Sequence, residues 1–158
     1  IELLFTYPVS DHGTVFGKFA AAACAVVLLL AGTFPAMLVL ASLADPPWPT
    51  ICTGYLGLVL MSSGFVGVGL FASSLTQNQI VAGALGFGAL LLLWIIGWAQ
   101  DLAGGTAGKV FQYLSVLGHF DNFGKGIIDS RDVIYYLLVI ALSVFATLRT
   151  IESRHWRS

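Results

Sequence analysis

Charge is the resource this chain has least of. Lys, Arg, Asp and Glu together make up 9% of its 158 residues, where soluble domains carry about 25%. A water-facing surface cannot be covered from that supply, so burial in a bilayer is the economical reading. The net charge of −1 lacks the basic stripe that nucleic acid demands, so no nucleic-acid partner is expected. There are only two cysteines, Cys24 and Cys52. They are predicted near opposite ends of successive spans, beyond the ~7 Å between Cα atoms that a disulfide allows, and are read as small buried hydrophobes.

Catalytic machinery is also missing. No Gly-rich loop followed by Lys-Ser or Lys-Thr is present, so the chain is not expected to hydrolyse nucleotide. Serines abound, but no Lys, His or Asp lies within a span to act as their base, which excludes a serine-type intramembrane hydrolase. The same gap excludes proton relays and ion-coupled carriers, which place ionisable groups at mid-membrane. His119 with Asp121 is a His–carboxylate pair close in sequence within the loop. A metal site needs three or four converging ligands, and His12 and His155 are predicted across the membrane, so His119 is read as a packing residue. The chain is expected to be no enzyme, with no cofactor or metal of its own. No basic n-region precedes a short apolar run, so no signal peptide is visible. The opening at Ile1 rather than Met is read as the start of a piece of a longer protein.

What is present is apolar length. The mean hydropathy is +0.90, and residues 51–75 and 80–99 form two uncharged arms around the polar turn Thr76-Gln77-Asn78-Gln79. At 1.5 Å per residue each arm crosses a hydrocarbon core of roughly 30 Å. Two further spans are predicted over residues 19–44, interrupted by Pro35, and over residues 133–148, which are short for a bilayer and should extend as helix at both ends. The Asp45-Pro46-Pro47-Trp48-Pro49 stretch stops the first of them. Ser10 is a candidate N-cap with Asp11 in the first turn. Thr76 with Gln79 suggests a capping box, and Asp129 and Ser130 are candidate caps for the last span. Trp94 and Trp98 suit an interface.

Small residues recur four apart on the middle spans: Ser63 and Gly67, Gly69 and Ser73, Ala82 and Gly86, Ala84 and Gly88. Such faces bring helices into close contact. Between them and the last span lies a loop of residues 101–132. Its Val110, Phe111, Leu114 and Leu117 recur at helical spacing, which predicts two short helices dipping back into the membrane where protein covers their backbone. Lys18, Arg149, Arg154 and Arg157 fall on one side, against Lys109, Lys125 and Arg131 on the other. The basic tail of residues 149–158 is dense and beside its span. Both chain ends and the Thr76–Gln79 turn are therefore expected in the cytoplasm.

Several blocks together resemble the ABC-2 type permease family, and among its branches the gliding-motility and nitrous-oxide-reductase-maturation permeases. They are Glu2-Leu3-Leu4-Phe5-Thr6-Tyr7-Pro8-Val9-Ser10-Asp11 with Gly17-Lys18-Phe19, then Gly69-Leu70-Phe71-Ala72-Ser73-Ser74-Leu75-Thr76-Gln77-Asn78-Gln79, then Leu117-Gly118-His119-Phe120-Asp121-Asn122-Phe123-Gly124-Lys125-Gly126-Ile127-Ile128-Asp129, and finally Glu152-Ser153-Arg154-His155-Trp156. The resemblance covers essentially the whole chain. It implies an all-α integral membrane protein holding spans three to six of a six-span permease domain, with re-entrant or amphipathic helices in the outer loop. It also implies a bacterial inner membrane location, a second permease subunit, and a separate ATP-binding subunit that carries the ATP and magnesium. The family's coupling segment maps onto residues 1–18, within which Glu2, Leu3, Leu4, Phe5, Thr6, Tyr7 and Pro8 would meet that subunit. The expected function is ATP-driven export or related transport. The alternative is a membrane scaffold that assembles a complex without moving a solute.

Overall fold

A computed structural model describes residues 10–155. Six helices follow one another: α1 (Asp11–Leu43), α2 (Trp48–Leu75), α3 (Gln79–Ala103), α4 (Gly105–Leu114), α5 (Val116–Gly124) and α6 (Ser130–His155), with no strand among the described residues. α1, α2, α3 and α6 are long and apolar enough to cross a bilayer. Their 33, 28, 25 and 26 residues span roughly 50, 42, 37 and 39 Å at 1.5 Å per residue, more than a hydrocarbon core requires. The last span does extend beyond residues 133–148 at both ends, as its short apolar stretch implied.

The helices alternate in direction. The start of α1, the α2–α3 turn and the end of α6 gather at one end of the bundle, called here the Ser10 end. The α1–α2 link and the α4–α5 insertion gather at the other, the loop end. α1 starts where Ser10 caps it, the Ser10 Oγ accepting from the Gly13 amide at 3.3 Å. It continues through residue 18 without a break and passes Pro35 as one helix. The Asp45-Pro46-Pro47 link stops it and Trp48 restarts the chain as α2.

α2 is the hub, touching α1, α3, α5 and α6. Its small residues explain why. In lipid, apolar side chains gain nothing from leaving a solvent as apolar as themselves, so helices associate through close packing. A Cβ added at Gly67 would stand 3.0 Å from the Ser143 Cβ on α6, and one at Gly64 would meet Val139 at 3.5 Å. Toward α3, Gly86 faces Ala72 and the Cα of Gly69, at 3.6 and 3.9 Å from its added Cβ.

The loop-end insertion forms the two short helices expected of it. α4 packs mainly against α3, while α5 is wedged among α2, α3 and α6. The cluster of Val116, Phe123 and Tyr136 is the most buried apolar group in the molecule, flanked by Leu60, Met61, Phe65 and Leu93. α5 fits because Gly57 and Gly97 clear its path. An added Cβ on Gly57 would lie 2.7 Å from the Phe123 Cβ, and one on Gly97 would lie 2.9 Å from the Ser115 Oγ.

Two expectations need correction. The α3 cap is Asn78 rather than Thr76: Asn78 Oδ1 accepts from the Ile80 and Val81 amides at 2.9 and 3.4 Å, while Thr76 Oγ1 takes the Asn78 amide at 3.1 Å. An amide side chain next to the first turn reaches its free N–H groups directly, so the box starting at Thr76 does not form. Cys24 and Cys52 are unpaired, but both are exposed on the outer faces of α1 and α2 rather than buried. A lipid-facing thiol is as apolar as its neighbours, so nothing drives it inward.

Candidate functional site

The expected coupling segment leads into the Ser10 end. The segment Glu2, Leu3, Leu4, Phe5, Thr6, Tyr7 and Pro8 lies outside the described residues, as do residues 156–158. What is described is the element that segment leads into. The first two turns of α1 dock on α6 and α2 through Val15, which is 3% exposed and the only buried residue of α1. Farther along, the Tyr55 hydroxyl of α2 lies 2.6 Å from Thr33 Oγ1, whose own proton goes to the Leu30 carbonyl at 2.6 Å. Tyr55 therefore donates to Thr33. Phe34 meets the Tyr55 ring edge-on at 6.4 Å. Val15 near one end and the Thr33–Tyr55–Phe34 group farther along thus anchor α1 on its neighbours.

Beside Val15 the three helices leave a cavity of about 220 Å³, lined by Thr14 and Lys18 of α1, Leu70, Ser73 and Ser74 of α2, and Thr147 and Ile151 of α6. Ser74 and Thr147 return their hydroxyl protons to the Phe71 and Ser143 carbonyls of their own helices. Arg149, one turn away, is already engaged: it reaches Glu152 at 3.3 Å and lies 5.2 Å over the Phe145 ring.

The second concentration of polar groups is at the loop end. Asp132, 5% exposed in the first turn of α6, accepts a hydrogen bond from Asn122 Nδ2 at 2.8 Å. Thr53 Oγ1 sits 3.0 Å from the Phe123 carbonyl and from its own Pro49 and Thr50 carbonyls, tying α2 to the end of α5. Tyr135 and Tyr136 donate to the Leu114 and Val116 carbonyls at 2.7 Å each; the first of these, at the end of α4, lacks a helical partner of its own. His119 lies flat on Tyr135, ring centres 3.9 Å apart, with Nδ1 at 2.8 Å from the Ser115 carbonyl. Asp121 is exposed and faces Lys125 at 4.0 Å, so His119 and Asp121 do not converge. Among the described residues no group of three or more potential metal ligands comes together. The chemistry available here is structural: hydrogen bonds that let backbone ends lie inside a helix bundle.

Of the small-residue positions, Gly67, Gly69 and Gly86 stand at helix contacts. Ser63 turns its hydroxyl onto the Val59 carbonyl of its own helix at 2.7 Å, and Ser73 is exposed on the cavity wall. Ala82 is half-buried, and an added Cβ on Gly88 meets nothing within 4 Å. The contact of α3 with α2 therefore runs through Gly86 rather than Gly88. Sequence spacing missed Gly57, Gly64 and Gly97, because their partners are distant in sequence. It also missed the cavity, although Thr14/Lys18 and Thr147/Ile151 are each four apart and so share a helix face.

No protein-family profile, characterised protein or solved structure gives a significant match to this chain.

Proposed function

We propose that this chain is a membrane-spanning permease subunit of an ABC transporter, driven by a separate ATP-binding subunit at its cytoplasmic face, the Ser10 end. The observation that carries this reading is the attachment of α1. The helix entered directly from the segment expected to meet the ATPase is the one least embraced by the bundle: none of its most apolar window is buried. A push delivered at Ser10 therefore meets Val15 as the one buried side chain of α1 and the Thr33–Tyr55 hydrogen bond as its polar tie to α2.

The uncharged spans support the same reading. No Asp, Glu, Lys or Arg occurs in residues 19–44, 51–75, 80–99 or 133–148, so ion coupling at mid-membrane has no groups to use. Energy must then enter from outside the spans. A second permease subunit completes the proposed assembly in a bacterial inner membrane.

The test is co-expression of the full-length protein with its candidate ATPase. Co-purification is expected, with loss of the complex on Leu4→Asp or Phe5→Asp at unchanged permease expression. No association in the wild type, or an association indifferent to both substitutions, overturns the reading and leaves a membrane scaffold.

A further inference from the structure

The second half of α1 and the first turns of α2 do not close on each other. They leave a groove of about 430 Å³, walled by Leu30 and Met37 of α1 and by Ile51 and Leu58 of α2. That volume falls within the range of small-molecule sites between helices. Gly54 and Gly124 line it and keep it open: a Cβ added at either meets nothing within 4 Å, whereas one at Gly57, a turn further along α2, would strike Phe123 at 2.7 Å. Among the described residues lining the groove none is charged. A charged ligand would lose its hydration there with nothing to replace it, so the groove selects an uncharged body.

The polar residues on its wall narrow the ligand further. Thr33 gives its proton to the Leu30 carbonyl and Tyr55 gives its own to Thr33, each at 2.6 Å. Both residues line the groove, and with both protons spent their oxygens have only lone pairs to offer. The pair is an acceptor site, suited to a hydroxyl that brings its own proton. Depth decides what carries that hydroxyl. Tyr55 lies seven residues beyond Trp48, the exposed tryptophan that starts α2, or about 10 Å along the axis at 1.5 Å per residue. With Trp48 at the interface, Tyr55 lies in the hydrocarbon, below the level of a phosphate headgroup.

We propose that this groove binds an uncharged amphiphile of the long-chain alcohol class, its chain along Leu30, Met37, Ile51 and Leu58 and its hydroxyl donated to the Tyr55–Thr33 pair. Such a ligand bridges α1 and α2 where the two helices stand apart. The inference stands on the groove alone and holds whether the protein is a transporter or a scaffold.

The experiment is photolabelling of the full-length protein, together with any ATPase that co-purifies, in micelles holding an octanol that carries a diazirine. Peptides covering residues 30–37 and 50–58 should take the label saturably. At equal mole fraction in the micelle, unlabelled octanol should compete about threefold better than octane, the factor that one hydrogen bond of average strength in lipid confers. Octanoate, which is charged, should compete no better than octane. Thr33→Val combined with Tyr55→Phe should remove the preference for octanol and keep the labelling. Gly54→Leu, which fills the groove, should cut the labelling of both peptides several-fold, and Gly88→Leu, into open space on α3, should leave it intact, with melting temperatures confirming that both fold. Label spread evenly over all four spans, or equal losses in Gly54→Leu and Gly88→Leu, overturns the site. Equal competition by octane and octanol in the wild type overturns the ligand class in favour of a plain acyl chain.

Discussion

At the residue scale the fold turns on places where a side chain must be absent. Gly57 is the clearest. Its missing Cβ lets Phe123 reach the α2 backbone, and an added methyl would stand 2.7 Å from both Cβ and Cγ of that ring. Those atoms are the rigid root of the side chain, and Phe123 is fully buried, so the ring cannot swing aside. Gly57→Ala should cost about 1–3 kcal/mol, the usual range for overpacking a filled site. Gly88→Ala, into open space, should change stability by less than about 0.5 kcal/mol. Thermal melting of both variants in one detergent decides it; equal melting temperatures would mean that α5 is not wedged against α2. A complementary case is Asn122, whose amide is the hydrogen-bond partner of the buried Asp132 carboxylate at 2.8 Å. Asn122→Ala leaves that acceptor unsatisfied and should destabilise by about 1–3 kcal/mol. Asn122→Ser, which restores a donor, should recover part of the loss in the same assay.

At the element scale, α4 hangs on two glycines. Gly104, between α3 and α4, has φ 55° and ψ 172°, a region that only glycine adopts without strain, and Gly105 follows with φ 57°. A Cβ at Gly104 would meet no neighbour, so the cost of Gly104→Ala is conformational and should be about 1–3 kcal/mol. Because α4 packs mainly on α3 while α5 is locked by its own contacts, that cost should appear locally. Faster amide exchange is expected over Gly105–Leu114, with α2 and α6 unchanged; uniform protection would refute the hinge.

Much of the element layout was legible beforehand. The four uncharged runs announced four spans, Ser10 announced the start of α1, and the amphipathic spacing from Val110 onward announced the two inserted helices. What could not be read is which face meets which. In lipid the outward and inward faces are equally apolar, so α2 has almost no amphipathic face to point toward α6, and its spacing gives no reason to choose Gly57 or Gly64. The Thr76 cap was misplaced for a related reason: two polar residues in a four-residue turn compete for the same amides, and only backbone geometry decides between Thr76 and Asn78.

On the scale of the whole molecule, charged groups are confined to two ends with different jobs. The loop end is closed: Asn122 with Asp132, Thr53 with the Phe123 carbonyl, and both tyrosines with the α4–α5 junction are all engaged. The Ser10 end is open, with a cavity between α1, α2 and α6 and an α1 whose most apolar window is unburied. Motion driven from outside should therefore tilt α1 while α2, α5 and α6 stay together. The molecule carries its own reporters of that motion. Cys24 on α1 and Cys52 on α2 are both exposed and unbonded, so spin labels attach without new cysteines. Cys24 lies nine residues beyond Val15, a lever arm of about 14 Å at 1.5 Å per residue, whereas Cys52 sits beside Thr53 at the locked end. In a complex with the proposed ATPase, diluted with unlabelled protein, the Cys24–Cys52 distance distribution should shift between the nucleotide-free and ATP-trapped states. Tyr55→Phe, which removes the clasp on Thr33 and should cost only about 0.6 kcal/mol in a bilayer, should broaden the nucleotide-free distribution toward the trapped one. Identical distributions in all three samples would show α1 fixed to the bundle, and a fixed α1 transmits nothing from the ATPase.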